Sequence, residues 1–223
     1  KLRDSGSPLE EHACGRMHYG IKTGRNAAFV IDGDVRSDLI AEDPKSAEVI
    51  KPFLVGKDVK RYNCPESNRY VIFTRHGIDI RTYPAIQRYL SEFRTRLEPK
   101  PKNWRGSNWL GRKAGSYEWY EIQDTVEYFA EFEKAKIMWP GISAEVTAFA
   151  LDKAGYYGND NTQIIVTGDR CLLGILNSRV LRFVLMHTCD KVQGGFYRLK
   201  MVYVAQLPIR TIDYDDPADV ARH

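Results

Sequence analysis

The most restrictive feature of this sequence is the placement of proline and glycine across its middle. Between residues 99 and 115 the chain carries two prolines and three glycines: Pro99, Pro101, Gly106, Gly111 and Gly115. Proline removes a backbone donor and glycine weakens regular structure, so this stretch excludes a long helix or strand. The regular elements of the fold are therefore expected on either side of it.

On the N-terminal side the pattern predicts two strands and two helices. Apolar runs rich in β-branched and aromatic residues indicate strands over 27–31 and 69–74. Asp43 as N-cap, followed by a proline, indicates a helix over 44–53. A second helix is expected from Pro84, because apolar residues recur at helical spacing: Ile86, Leu90, Phe93 and Leu97.

On the C-terminal side helices and strands alternate unevenly. Helices are expected over 125–132, 172–176 and 179–187, and strands over 136–139, 146–151, 162–167 and 198–207. Ser178 is expected to cap the last of these helices. The uneven order favours a mixed α/β fold, a twisted mixed β-sheet with flanking helices, over a doubly wound sheet.

The irregular middle segment is also the most basic part of the chain. From Ser91 to Gly115 there are seven Lys/Arg against two Glu, a net charge of +5, whereas the whole chain has +4. Trp104 and Trp109 lie inside this stretch and Trp119 follows it. Localised cations mixed with indole, amide and hydroxyl groups are typical of a surface that binds a polyanion. Nucleic acid is therefore the leading candidate partner.

Three further groups carry cations beside glycine or amide residues. The first is the loop Gly20–Asn26 with Lys22, Thr23, Arg25 and Asn26, and the second is Lys57, Lys60 and Arg61. The third comprises Lys191, Gln193, Gly194, Gly195, Tyr197 and Arg198. Each is suited to contact phosphates or base edges. A tight turn before a strand explains the first equally well, and a hairpin connector explains the third.

These groups give a set of candidate DNA-binding residues. Predicted phosphate contacts are Lys22, Arg25, Arg105, Arg112, Lys113 and Lys191, with Thr23, Lys60 and Arg61 beside them. Predicted base-edge contacts are Asn26, Asn108, Ser116, Gln193 and Arg198. Trp104 and Trp109 are expected to form an apolar wall or wedge.

Catalytic signatures are missing from the sequence. It contains no GxGxxG, GxxxxGK[ST], HExxH or GxSxG motif. Asp58-Val59-Lys60 and Glu98-Pro99-Lys100 match the D/E-x-K tripeptide of metal-dependent nucleases, but the additional carboxylates that such a centre needs are not evident. No catalytic residue, metal site or cofactor is predicted. A nuclease, a protein-interaction scaffold and a single-strand or RNA binder remain the alternatives.

Composition adds two expectations about the setting of the protein. Four widely scattered cysteines without a CxxC pair favour reduced thiols in a cytoplasm. No apolar run reaches the roughly 20 residues that a membrane helix requires.

Several segments together resemble the TaqI-like C-terminal specificity domain. They are GIKTGRNAAFVID, IKPFLVGKDVKRY, YPAIQRYL, WYEIQ, KIMWPGIS, NDNTQIIV, LLGILNS and QLPI, in order from Gly20 to Ile209. The resemblance implies a non-catalytic domain that recognises double-stranded DNA within a type IIG-like restriction–modification enzyme that methylates adenine. It also implies upstream methyltransferase and nuclease domains, which use S-adenosylmethionine and magnesium. The expected division is a linker over 1–19, a target-recognition domain over 20–210 and an acidic tail over 211–223.

Overall fold

A computed structural model of the chain describes residues 6–64, 66–210 and 215–221. The helices are α1 Leu9–Ala13, α2 Asn26–Phe29, α3 Gly33–Glu42, α4 Ser46–Val49, α5 Pro84–Ser91, α6 Arg94–Leu97, α7 Arg170–Leu176, α8 Arg179–Thr188, α9 Met201–Val204 and α10 Pro217–Val220. Short 3₁₀ turns occupy Gly56–Asp58, Ile80–Thr82 and Phe129–Glu133.

The strands of the described residues are short and lie in four sheets. They are β1 Ser7–Pro8, β2 Met17–Tyr19, β3 Val30–Asp32, β4 Ile50–Leu54, β5 Arg69–Ile72, β6 Lys136–Pro140, β7 Ile142–Ser143, β8 Ala150–Asp152, β9 Tyr157–Gly158, β10 Thr162–Ile165, β11 Asp190–Val192, β12 Phe196–Arg198 and β13 Pro208–Ile209. The sheet orders are β3-β5-β4-β9, β2-β10-β6-β8, β11-β12-β7 and β1-β13. The first is mixed, because β4 pairs with β9 in parallel and with β5 antiparallel. The mixed α/β class is therefore confirmed, with the strands divided among several sheets.

Two hydrophobic cores lie on opposite faces of the sheet β2-β10-β6-β8. The first core contains Phe29, Phe53, Ile72, Ile86 and Leu90 together with Met138, Ala150 and Ile164 of this sheet. The second contains Leu172, Leu176, Leu181 and Leu185 together with Ile137, Trp139 and Ile165. Because successive side chains of a strand point to opposite faces, β6 and β10 feed both cores. This sheet is the shared inner layer of the fold.

A buried ion pair stands in the same sheet. Lys136 at the start of β6 pairs with Asp152 at the end of β8, and both side chains are almost fully excluded from solvent. Asp152 also accepts hydrogen bonds from the backbone N–H groups of Ala154 and Tyr156. With its charge paired and its oxygens hydrogen-bonded, the pair is compatible with a buried position.

Local sequence signals explain several elements. The Ser178 side chain accepts a hydrogen bond from the Leu181 N–H at 3.2 Å, which confirms it as the N-cap of α8. Asp169 caps α7 in the same way. The strand predicted over 69–74 is present as β5, and the helix predicted from Pro84 is present as α5 and α6 with Ile86, Leu90 and Leu97 buried.

Five expected elements differ from the structure. The strand predicted over 146–151 is limited to β8, Ala150–Asp152. Residues 26–29 form a helical turn before β3, and only 46–49 of the helix predicted over 44–53 is helical, since 50–54 is β4. The helix predicted over 125–132 is reduced to a 3₁₀ turn. The strand predicted over 198–207 is wrong, because α9 occupies its centre. In the last four cases a short apolar run does not distinguish helix from strand, and tertiary packing decides.

The two chain ends contribute to the fold in different ways. Residues 7–19 supply β1, α1 and β2, and Leu9 is fully buried in the second core. The division of the chain at residue 20 stays a prediction. The predicted acidic tail lies partly outside the described residues, at 211–214 and 222–223. No helix among the described residues is long and apolar enough to cross a membrane.

Candidate nucleic-acid interface

The basic middle segment folds as a loop that is closed at its base. The Lys100 N–H donates to the Arg112 carbonyl at 3.0 Å, and the Arg112 N–H donates to the Glu98 carbonyl at 2.9 Å. Residues 101–108 between these contacts are exposed, among them Arg105 and Asn108. We call residues 99–112 the basic loop. Lys113 and Ser116 follow it and are also exposed.

The two tryptophans of the basic loop pack on each other. Their ring centroids lie 5.0 Å apart in an edge-to-face arrangement. Trp104 is 40% exposed, whereas Trp109 is half-buried and donates its indole N–H to the Glu98 carbonyl at 3.2 Å. Trp104 is therefore available to a partner, while Trp109 also supports the loop.

Arg112 corrects one of the predictions, because it is a buried structural residue. Its side chain donates to five backbone carbonyls at 2.7–3.1 Å: those of Leu97, Thr23, Glu121, Glu118 and Trp119. These bonds use all five guanidinium N–H donors. Burial lowers the pKa of Arg112 to about 10. Because this value is still well above neutral pH, the guanidinium group keeps its charge. Arg112 holds the structure together instead of contacting a ligand.

Thr23 is the second predicted contact that the structure buries. Its hydroxyl donates to the Asn26 amide oxygen at 2.6 Å and accepts the Arg25 N–H at 3.2 Å. The Thr23 carbonyl is one of the acceptors of Arg112, so the loop 20–26 is attached to the base of the basic loop. Arg25 and Asn26 are exposed and Lys22 is half-buried.

A tight turn over residues 158–162 joins the loop 20–26 to the remaining basic groups. The Gly20 N–H donates to the Thr162 carbonyl at 2.7 Å, and the Gly56 N–H donates to Asn159 Oδ1 at 3.1 Å. The Gly141 N–H donates to the Asn161 carbonyl at 2.8 Å. A Cβ atom on Gly20 would lie 1.9 Å from a backbone oxygen of this turn, so only glycine allows the approach. We call residues 158–162 the hub turn.

Gly56 and Gly141 connect the hub turn to two other predicted groups. Gly56 precedes Lys57, Lys60 and Arg61, all three exposed. Gly141 precedes β7, which pairs with β12 of the hairpin formed by β11 and β12. The hairpin carries Lys191, Gln193 and Arg198, which are exposed, and turns at Gly194 and Gly195 with φ of 86° and 79°. Residues 191–198 therefore form the hairpin connector that was one of the two interpretations of this segment.

Two neighbouring concavities share Arg61 and Glu145, and the first of them borders the hairpin. The hairpin concavity, about 420 Å³, is lined by Lys57, Lys60, Arg61, Ile142, Glu145 and Phe196. The helix concavity, about 480 Å³, is lined by Arg61, Glu145, Arg179, Arg182 and Phe183. Arg61 belongs to both and is held by a hydrogen bond to the Asn177 carbonyl at 2.7 Å. The structure thus places the exposed cations of 57–61 beside Phe196 of the hairpin. Lys191 pairs with Tyr197 in the register and therefore lies on the opposite face of the hairpin from Phe196.

Sequence reasoning missed three residues of this surface. Phe196 is 42% exposed on the hairpin, and Arg179 and Arg182 lie on the exposed side of α8. The hairpin itself was one of the two interpretations of residues 191–198, but Phe196 was not among the residues singled out in it. The signal for the arginines was present, since both lie on the polar face of a predicted amphipathic helix.

The carboxylates considered for a nuclease centre are engaged elsewhere. Asp58 forms a two-point ion pair with Arg69 at 2.9 and 3.1 Å and accepts the Val55 N–H. Glu98 pairs with Arg94 at 2.9 Å. Within the described part of the chain, no group of three or more His, Cys, Asp or Glu side chains is placed to hold a metal ion.

Comparison with known families identifies what the chain is related to. The family model of the TaqI-like C-terminal specificity domain matches residues 51–209, which is more than half of the chain. The chain belongs to this family. The hub turn, the residues 57–61 and the hairpin all lie within the matched range, whereas the loop 20–26 precedes it.

Two relatives of this specificity domain place it in context. A type II methyltransferase, M.PaeR7I of Pseudomonas aeruginosa, is 26% identical over 218 residues, covering 94% of this chain and 35% of that protein. The solved structure of the type IIL restriction-modification enzyme MmeI in complex with DNA shares the fold, with a TM-score of 0.60, at 15% identity. That likeness covers 89% of this chain and 25% of the MmeI chain. The specificity domain thus spans about a third of the curated relative it matches.

Proposed function

We propose that this chain recognises a specific sequence in double-stranded DNA, as the specificity domain of a longer restriction–modification methyltransferase. The observation that carries the proposal is its membership of the TaqI-like specificity family across residues 51–209. The fold likeness to an enzyme solved in complex with DNA supports the choice of DNA over other polyanions. The cationic surface described above supplies the chemistry.

The surface has parts suited to the two tasks of sequence recognition. Exposed cations contact phosphates and fix the register, and hydrogen-bonding side chains read base edges. For phosphates we propose Lys22, Arg25, Lys57, Lys60, Arg61, Arg105, Lys113 and Lys191. For base edges we propose Asn26, Asn108, Ser116, Gln193 and Arg198, with Trp104 as an apolar contact. A two-stranded ribbon such as the β11–β12 hairpin has the width that the major groove admits.

The chemistry of the parent enzyme is proposed to reside outside this chain. Adenine methylation, DNA cleavage and the S-adenosylmethionine and magnesium that they require belong, on this proposal, to upstream domains of the same polypeptide. The relative that carries the word methyltransferase in its name is nearly three times as long as the region matched. Cytoplasmic location is part of the proposal, because the four cysteines are free thiols.

Binding of the 223-residue chain to labelled DNA tests the proposal. We expect fluorescence anisotropy to show binding to duplex in the presence of competitor DNA, with weaker binding to single strands and to RNA. Lys60→Ala is expected to reduce the slope of log K against log salt by about 1, because one phosphate contact is lost. Lys45→Ala, which removes an exposed cation between α3 and α4, should leave the slope unchanged.

Two outcomes would contradict the proposal. Equal affinity for all nucleic acids, or no binding even at a low salt concentration of about 50 mM, would favour a protein-interaction scaffold. Nicking of plasmid DNA by the purified chain with magnesium would instead indicate a nuclease, the other alternative.

A further inference from the structure

Glu145 lies where the hairpin concavity meets the helix concavity. Both concavities are otherwise lined by cations, apolar groups and neutral polar groups, and Glu145 is the only acidic residue of the described chain that lines either. The cations around it are Lys57, Lys60, Arg61, Arg179 and Arg182. A negative charge in a surface that binds a polyanion weakens that binding by repulsion. Its position therefore calls for a specific role.

Within the fold, the Glu145 carboxylate is hydrogen-bonded through Oε1, and Oε2 is the oxygen that a ligand could use. Glu145 Oε1 accepts from the Thr147 hydroxyl at 2.9 Å and from the Thr147 N–H at 3.3 Å. The Glu145 N–H donates to the Ser143 hydroxyl at 3.1 Å, which fixes the backbone beside β7. Arg182 Nε lies 3.6 Å from Oε1, and the hydrogen bonds of the described residues to this carboxylate both use Oε1. The side chain is 48% exposed, so Oε2 can reach a ligand.

The carboxylate is ionised at neutral pH. Partial burial acts to raise the pKa of Glu145, but the two hydrogen bonds from Thr147 and the charges of Arg182 and Arg61 outweigh it. The pKa is lowered as a result. An ionised carboxylate accepts hydrogen bonds and donates none.

The base edges of the major groove differ in how they meet such an acceptor. Cytosine presents its N4 amino group, a donor, while guanine and thymine present acceptors at the corresponding positions. Adenine presents an amino group beside the N7 acceptor, which repels a carboxylate. We propose that Glu145 selects cytosine at one position of the target site by accepting a hydrogen bond from the N4 amino group through Oε2. This inference rests on the proposed DNA recognition and deepens it.

Selection from a library of random duplexes tests the assignment with the 223-residue chain. The wild type, Glu145→Ala and Glu42→Ala are each used to recover preferred sequences. Glu42 is a matched control, because it is an exposed glutamate that pairs with an arginine, Arg88. It lies on α3, beside β3, which is the strand at the other edge of the sheet from β9. Glu145→Ala is expected to lose the preference for cytosine at one base pair by roughly 5- to 150-fold and to bind non-target duplex more tightly. Glu42→Ala should retain the wild-type preference.

A modified base identifies the atom that is read. Replacing the cytosine at that position by 2-pyrimidinone removes the amino group, so the wild type should lose affinity while Glu145→Ala should not. If Glu145→Ala lowers the melting temperature, Glu145→Gln, which retains an acceptor for Thr147 without the charge, takes its place. An unchanged recovered sequence, a change at a base other than cytosine, or the same change in Glu42→Ala would overturn the assignment. Absence of any sequence preference in the wild type would instead refute the proposed function.

Discussion

At the scale of single residues, Arg112 has the largest structural role of any cation in the basic loop. It joins five carbonyls from the loop 20–26, the end of α6 and residues 118–121. Arg112→Ala would remove one donor from each of these carbonyls in a buried site. The Thr23 and Glu118 carbonyls keep a backbone donor, from Gln123 and Glu121, and each group that is left unsatisfied costs about 1–3 kcal/mol. We expect the variant to lose more than about 3 kcal/mol of unfolding free energy, measured by urea denaturation.

Lys113 is the matched control at this scale. It is the next residue in the chain and is exposed, so Lys113→Ala should leave stability within about 0.5 kcal/mol of the wild type. On the proposed function it should weaken DNA binding at low salt. Equal stability of the two variants would contradict the structural role of Arg112. The sequence alone could not show which of Arg112 and Lys113 is buried, because the burial of Arg112 depends on carbonyls that segments distant in the chain bring together.

At the scale of elements, the hub turn is the feature that links the predicted basic groups. Gly20, Gly56 and Gly141 each approach it so closely that a Cβ atom would lie 1.9–2.9 Å from its atoms. Gly20→Ala must therefore push the loop 20–26 away from the turn, and we expect a loss of roughly 1–3 kcal/mol in stability together with weaker DNA binding.

Gly174 supplies the control for this substitution. It lies in α7, and a methyl group added at its Cα would have no neighbour within 4 Å, so Gly174→Ala should stabilise the protein by about 0.5–1 kcal/mol. Thermal unfolding of the two variants checks both signs. A stable Gly20→Ala variant with wild-type binding would show that the close approach is dispensable.

Elements were predictable where a local signal fixed them. Ser178 as a cap and the helical spacing from Ile86 to Leu97 gave α8, α5 and α6, and the apolar run at Lys136 gave β6. The segment 198–207 was not predictable in the same way, because the spacing of its apolar residues fits both the helical period and the strand period. The exposed cations of 57–61 were predicted from the sequence, but the approach of Phe196 to them depends on the β7–β12 pairing, which joins residues far apart in the chain.

At the scale of the whole molecule, the shared inner sheet makes the two cores dependent on each other. In β10, Ile164 packs in the first core and its neighbour Ile165 in the second. A cavity made on one side of this sheet loosens strands whose other face supports the opposite core, since close-packed interiors transmit strain.

Ile165→Ala tests this coupling. We expect a loss of about 2–5 kcal/mol and a single unfolding transition, because both cores lose the same sheet. Hydrogen exchange should then increase equally in β5, which lies in the first core, and in α8, which lies in the second. Val180→Ala, on the exposed side of α8, should change neither. Faster exchange confined to α8 after Ile165→Ala would mean that the cores unfold separately, and the hub turn would then join two independent halves of the proposed DNA-binding surface.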